Sequence, residues 1–310
     1  MISISTQNPQ SQYVIRNKSI SGFSFAVLIT TGSGAPSAAP IDPDKFQLKA
    51  TLNRKGFEGV ELFNTTLRNL VLLGYLENVV FDMLGSYAIL TTGSKYLVPL
   101  KISLGGPLNL KADDELTVEW QLGDGFFVAA SDVVAATSSI QLDEIETTET
   151  EYFIPLTKVK VIEQGQSNPT YGLGDNVLRI VFRQDDKTTT LTADAVINNI
   201  SLQTKQGLTK NDNYNEILVK NFALYPTVAE FAARKQNFVL YSGEDELDGV
   251  QLALNLNSTN VNSSKNWILW NTFITSDELV TRGAMIDEKK SIESDKKGSF
   301  NPNYIGRTQL

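Results

Sequence analysis

The stretch Tyr96 to Leu122 reads YLVPLKISLGGPLNLKADDELTVEWQL. Val98, Leu100, Ile102 and Leu104 alternate with Pro99, Lys101 and Ser103, and further on Leu116, Val118, Trp120 and Leu122 alternate with Thr117, Glu119 and Gln121. A period of two marks strands with one buried face, because successive side chains point to opposite sides of a pleated sheet. Between the runs, Gly105-Gly106-Pro107 breaks a hydrogen-bonded ladder, and Asp113-Asp114-Glu115 are poor strand formers that suit a solvated turn. The stretch predicts two strands of a sandwich wall.

The same idiom recurs on both sides of it. Upstream, Tyr13 to Ile15 reads as a strand, and Phe23, Phe25, Val27 and Ile29 alternate, as do Phe46, Leu48, Ala50 and Leu52. A Gly-, Ser-, Ala- and Pro-rich loop, Thr31 to Pro43, separates the last two runs. After Gly59 the pattern is ambiguous. Leu67 to Leu73 has the look of a buried strand, and Leu76 to Leu84 that of a short helix closed by Gly85. Downstream of the opening stretch, Gly123-Asp124-Gly125 makes a turn before Phe126 to Val128. Ile140, Leu142 and Ile145 end the first half, and the acidic, Thr-rich Asp143 to Glu151 is the predicted domain boundary.

Beyond it, Tyr152-Phe153-Ile154-Pro155-Leu156 echoes Tyr96-Leu97-Val98-Pro99-Leu100, a weak sign of duplication. Proline inside a strand belongs at edges, starts and bulges, since it lacks a ladder donor. Val177 to Phe182, Thr188 to Ile197, Ile200 to Leu202 and Ile217 to Phe222 read as strands. Thr227 to Lys235 is the clearest helix, with Thr227 and Glu230 in capping-box register. Phe238 to Tyr241, Val250 to Leu256 and Trp267 to Ile274 complete the strands. The expected layout is an N-terminal arm over residues 1–22, domains over 23–150 and 151–274, and a polar tail over 275–310. Short strands with turns every eight to twelve residues predict an all-β fold of sandwiches or jelly rolls, because helices of crossover length are missing between strands.

Composition narrows the chemistry. The 310 residues suffice for two ordinary cores, and with 41% apolar and 20% charged residues the balance is that of a soluble chain. No window approaches the roughly 18 uncharged apolar residues of a membrane helix. The N-terminus, MISISTQNPQSQ, has neither a basic head nor a long apolar run, so no secretion signal is expected. Cysteine and histidine are both absent. That removes disulfides, thiolate and imidazole metal sites, cysteine nucleophiles and Ser-His-Asp triads. The net charge of −8 argues against binding nucleic acid, which needs a surplus of Lys and Arg on one face.

The remaining motifs have plainer readings. Asp113-Asp114-Glu115 reads as a hairpin-tip charge cluster rather than a calcium site. Asn211-Asp212-Asn213-Tyr214-Asn215 lacks the sixth-position glycine and closing glutamate of a calcium loop. Gly123-Asp124-Gly125 and Gly172-Leu173-Gly174 are turns, too short to cradle phosphate. The sequons at Asn64, Asn199 and Asn257 are of the kind that an Asn-, Ser- and Thr-rich chain produces by chance. Trp120, in phase with Leu116 and Val118, belongs to a core. Trp267 and Trp270 fall on opposite faces of one strand, so at most one of them is core, and the other faces a partner, a loop or solvent.

The pattern resembles the double jelly-roll major capsid proteins of the tectivirus and adenovirus lineage. The resemblance rests on Tyr96 to Leu100 leading through Leu104-Gly105-Gly106 to Leu108, Leu110 and Leu116-Thr117-Val118, on the second-half helix Thr227 to Lys235, and on two halves near 150 residues each. It covers about Phe23 to Ile274. It implies two consecutive eight-stranded jelly rolls with short helices in late loops. It also implies a homotrimer of pseudo-hexagonal outline in the shell of an icosahedral bacteriophage, made in the host cytoplasm and incorporated in the virion. Partners implied are neighbouring capsid trimers, a vertex (penton) protein and an internal viral membrane, with no direct nucleic-acid contact. No enzyme activity, catalytic residue, cofactor or metal is expected. The rival reading is a carbohydrate- or receptor-binding β-sandwich, such as a phage spike or adhesin. A carboxylate-dependent glycosidase ranks below both.

Overall fold

The computed structural model describes residues 2–32, 40–55, 57–73, 90–92, 95–129, 132–149, 151, 153–184, 196–207, 209–222, 237–261 and 266–275. The first-half strands are β1 (Ile2–Ile4), β2 (Gln10–Ile15), β3 (Ser19–Thr30), β4 (Phe46–Arg54), β5 (Phe57–Thr66), β6 (Leu90–Thr92), β7 (Lys95–Asn109), β8 (Glu115–Leu122) and β9 (Ser139–Glu146). The second half contributes β10 (Phe153–Val161), β11 (Thr170–Gly174), β12 (Val177–Gln184), β13 (Ile197–Gln203), β14 (Thr209–Asn213), β15 (Asn237–Leu247), β16 (Val250–Leu256) and β17 (Asn266–Thr275). Helix α1 (Leu67–Leu73) follows β5, and helix α2 (Tyr214–Phe222) follows β14.

Among the described residues the strands form four sheets, in the orders β1-β9-β3-β7-β6, β2-β8-β4-β5, β10-β17-β12-β15 and β11-β16-β13-β14. Among the described residues no sheet mixes strands from the two halves. With β6 and β7 counted as one position, each half places its first, eighth, third and sixth strands in one sheet and its second, seventh, fourth and fifth in the other, in matching order. Every pairing is antiparallel. These are two consecutive jelly rolls, each a pair of facing sheets with a helix after the fifth strand.

Period two places the apolar side chains inside. In β8, Leu116, Val118, Trp120 and Leu122 are all buried, while Thr117, Glu119 and Gln121 alternate outward. They join Phe23, Phe25, Val27 and Phe46 in one core. A second core gathers Ile180, Phe182, Ile200, Leu202, Leu252 and Leu254.

The residues expected to form an N-terminal arm are strands. β1 pairs with β9 and β2 with β8, so both strands join the sheets of the first half. Gly105-Gly106-Pro107 is a bulge within β7 rather than its end: Ile20 pairs with Leu108 and Gly22 with Ser103, so four residues of β7 stand opposite Ser21. Gly105 takes the left-handed conformation that glycine tolerates (φ +86°). The echo of Tyr96 to Leu100 lies in β10, the first strand of its roll, whereas the original lies in β7. The two segments are therefore not equivalent, and duplication resides in the topology.

Two expected strands are helices. Leu67 to Leu73 is α1, and Leu67, Asn69, Leu70, Val71, Leu72 and Leu73 are all buried. A helix that buries six of its seven residues is stable only when covered on nearly all sides, and α1 lies between the rolls. Leu70 and Val71 enter the first core, while Leu72 and Leu73 pack on Val181 of β12 and Leu269 of β17. Ile217 to Phe222 belongs to α2. Its start is a reciprocal capping box: Asn213 Oδ1 accepts from Glu216 N (3.1 Å), and Glu216 Oε2 accepts from Asn213 N (2.8 Å). The helices expected at Leu76 to Leu84 and Thr227 to Lys235, the strand start at Thr188 and the tail after Thr275 lie outside the described residues. Gly172-Leu173-Gly174 sits in β11, with a register shift between its glycines, and is not a free turn.

Candidate functional site

A group of buried polar side chains lies where the rolls meet and ties one roll to the other. Arg183 of β12 is buried to 1% exposure. Its Nη1 donates to Asn69 Oδ1 of α1 (2.6 Å) and its Nη2 to Asp44 Oδ2 (2.6 Å), just before β4. The guanidinium carbon lies 5.7 Å from the Trp267 ring centroid. Asn69 is fully buried and also donates to Thr65 Oγ1 (2.8 Å). Arg179, two residues before Val181, donates to the Leu73 carbonyl at the end of α1. Second-roll cations thus satisfy the acceptors of a first-roll helix.

A second clamp grips the connection between the rolls. Arg54 Nη1 and Nη2 donate to the two carboxylate oxygens of Glu151 (2.5 and 3.2 Å), Nε donates to Asp114 Oδ2 (3.0 Å), and Nη2 also to the Asn109 carbonyl (2.8 Å). Glu151 Oε2 further accepts from Asn109 N (2.7 Å). Burial works against the Arg54 charge, but the carboxylates of Glu151 and Asp114 outweigh it, so its pKa is raised. The bulge of β7 completes the joint. A Cβ on Gly106 would lie 2.7 Å from the Phe153 ring, and one on Gly105 would touch Pro155. Ile154 and Ile274 of the second roll enter the first core.

The motifs singled out in the sequence fall into this scaffold. Asp114, expected in a solvated turn, is buried at 5% exposure and committed to Arg54 and to Lys111 N (3.0 Å); Asp113 is exposed, and Glu115 pairs with Arg16. Asp212 is buried between Lys210 (3.2 Å) and Lys220. Its burial works to raise the carboxyl pKa, and the two lysines reverse that to a net lowering. Glu144 is likewise held below the usual carboxylate range, where the Lys18 hydrogen bond and charge prevail over burial. Gly123 to Gly125 is a turn, closed by Phe126 N donating to the Gly123 carbonyl (3.2 Å). Trp120 is core at 4% exposure. Trp267 and Trp270 do face opposite ways: Trp270 packs on the second core and donates to the Leu173 carbonyl (3.2 Å), while Trp267 packs on the seam with α1. The partner that Trp267 faces is the other half of its own chain.

Among the described residues, clefts at the first roll include two. One, of about 430 Å³, lies among Pro9, Gln121, Gly125, Phe126 and Phe127; the other, of about 320 Å³, lies on the outward face of β8 and β4 among Gln47, Lys49, Glu119 and Gln121. Among the described residues no three Asp or Glu side chains group as metal ligands, and no helix is long and apolar enough to cross a membrane.

The class that this architecture defines is the all-β double jelly roll. No family model and no curated protein matches the sequence. Among solved structures the chain is similar to the STIV MCP, at 13% identity over 86% of this chain and 92% of that chain, with a TM-score of 0.52. It also aligns with a structure from the Sputnik virophage (11% identity, 88% and 84% covered, TM-score 0.34) and with the major capsid protein P2 from bacteriophage PM2 (10%, 86% and 97%, TM-score 0.40). At such identities the likeness to the STIV MCP is one of fold, and it spans both rolls.

Proposed function

We propose that the chain is a structural major capsid protein that forms trimeric, pseudo-hexagonal capsomers of an icosahedral shell. The observation that carries this reading is the double jelly roll itself, shared with the STIV MCP across nearly the whole of both chains. Two similar rolls per chain give a trimer six similar walls, the outline that tiles a shell. The seam supports the reading physically. A subunit that fixes the geometry of a lattice needs its rolls held at one mutual angle, and the Arg183 and Arg54 clamps, helix α1 and the β7 bulge together do that. The first roll in this reading ends near residue 150 and the second runs from 151 to about 274. In this reading the partners are two further copies in the trimer, neighbouring trimers, a vertex (penton) protein and an internal viral membrane, and the location is the virion.

Mass measurement in solution, followed by electron microscopy of concentrated protein, tests the proposal. A stable trimer that packs into hexagonal arrays or closed particles supports it. A monomer that forms no array and binds glycans overturns it in favour of a receptor-binding sandwich.

A further inference from the structure

We propose that the outward face of the β11-β16-β13-β14 sheet is a lateral contact, at which the chain meets the same face of a second copy. The inference rests on the capsid-subunit reading and names one of its interfaces. Strand register defines the face. Gln251 stands opposite Gln203, and Gln203 opposite Thr209; Ala253 stands opposite Ser201, and Ser201 opposite Asn211. A third row runs from Asn255 through Asn199 to Asn213. On β11, Thr170 and Gly172 extend the first two rows. These positions alternate with the buried Ile200, Leu202, Leu252 and Leu254, and so point away from the core.

Not one of these outward residues carries a charge, although charged residues make up 20% of the chain. The corresponding face of the first roll differs: its middle row includes Lys49 and Glu119, paired at 2.9 Å. On the second roll the amides along one edge are tied together, Asn198 donating to Asn255 (2.9 Å) and Asn255 to Asn168 (2.8 Å). The side chains of Asn199, Ser201, Gln203, Asn211 and Gln251 make no hydrogen bond among the described residues, leaving their donors and acceptors for a partner.

The chemistry selects the occupant. A phosphate-bearing partner, whether nucleic acid or lipid headgroup, would require Lys or Arg, and the face has neither. A glycan would call for an aromatic platform, and none stands among these outward positions. Each amide and hydroxyl both donates and accepts, so a face built of them is complementary to itself, as a two-fold contact demands. Copies carrying a net charge of −8 repel one another, and a neutral face is where that repulsion is least. With strands ~4.8 Å apart and same-face residues ~6.7 Å apart, the face measures roughly 15 by 15 Å. That is a few hundred Å², well below the roughly 800 Å² per partner of a stable pair. The contact is therefore weak alone and takes hold where subunits are already held side by side.

Ser201 lies in the middle row, so Ser201→Glu and Ser201→Lys test the contact in full-length protein. Each variant alone should keep the parent's melting curve and oligomer mass, yet lose array or particle yield about tenfold or more through like-charge apposition. A one-to-one mixture of the two should restore the yield, because opposite charges then face each other. Should either variant fail to fold, Asn211→Asp and Asn211→Lys give the same readout. Charged variants that assemble as well as the parent overturn the contact and leave the capsid reading standing. Poor assembly that the mixture does not rescue assigns the face to a different partner, and also overturns it. A parent chain that forms no array overturns the capsid reading, and the contact with it.

Discussion

Replacing Arg183 with Met would show how strongly the two rolls are joined. The side chain is buried, donates to Asn69 and Asp44 at 2.6 Å each, and lies over Trp267. Methionine keeps most of the buried hydrocarbon, so the loss is mainly polar. Asp44 is 39% exposed at its side chain and can rehydrate, which limits its share. Asn69 is fully buried, and its Oδ1 would lose the Arg183 hydrogen bond, a desolvation cost of ~1–3 kcal/mol. Loss of the stacking on Trp267 adds ~0.5–2 kcal/mol. The sum, ~1.5–5 kcal/mol, overlaps what breaking a buried ion pair generally costs. Urea denaturation followed by tryptophan fluorescence measures it, since Trp120 lies in the first core and Trp267 in the seam. The expected outcome is a lower midpoint, with a single transition separating towards two as the rolls uncouple. Lys49→Met, which breaks an exposed pair on the first roll, should cost under ~1 kcal/mol. A loss for Arg183→Met no larger than that for Lys49→Met would refute the claim that this clamp joins the rolls.

Further outcomes follow from other sites. Trp120→Ala should cost ~3–5 kcal/mol in the same denaturation assay, as for a large side chain removed from a packed core. Asn213→Ala should remove the α2 cap and cost ~1 kcal/mol, measured by calorimetry. The Asp212 carboxyl is lowered in the folded chain, so its contribution is complete above the unfolded value near ~4 and is lost as pH falls through the folded value. Asp212→Asn should therefore be less stable at neutral pH and lose less stability on acidification below about pH 4, as melting curves across pH would show.

Much of the wall was legible because alternation is a local property. The buried faces of β3, β4, β8 and β16 read directly from Phe23 to Ile29, Phe46 to Leu52, Leu116 to Leu122 and Val250 to Leu256. The opposite facing of Trp267 and Trp270 followed from the same parity. One missed signal was local too: Asn213 and Glu216 are spaced as a capping box and mark the start of α2, yet Ile217 to Phe222 reads as a strand when the cap is overlooked. The seam residues had no such signal. Arg183 lies 114 residues from Asn69 and 139 from Asp44, and Arg54 lies 97 from Glu151. Nothing in the spacing of single charged residues announces pairs that far apart.

The sequence by itself determined the all-β class, the exclusion of cysteine and histidine chemistry, and which strand faces are buried, since each depends on residue type and a period of two. Tertiary structure decided what short apolar or polar runs become. Leu67 to Leu73 is a helix because two rolls cover six of its seven residues. Asp114 is buried because Arg54 reaches it from β4. Ile2 to Ile4 and Gln10 to Ile15 are strands because β9 and β8 offer them open edges. Gly105 to Pro107 is a bulge against β10 rather than a chain break. In each case the energy comes from partners distant in the chain, and a local pattern carries no record of them.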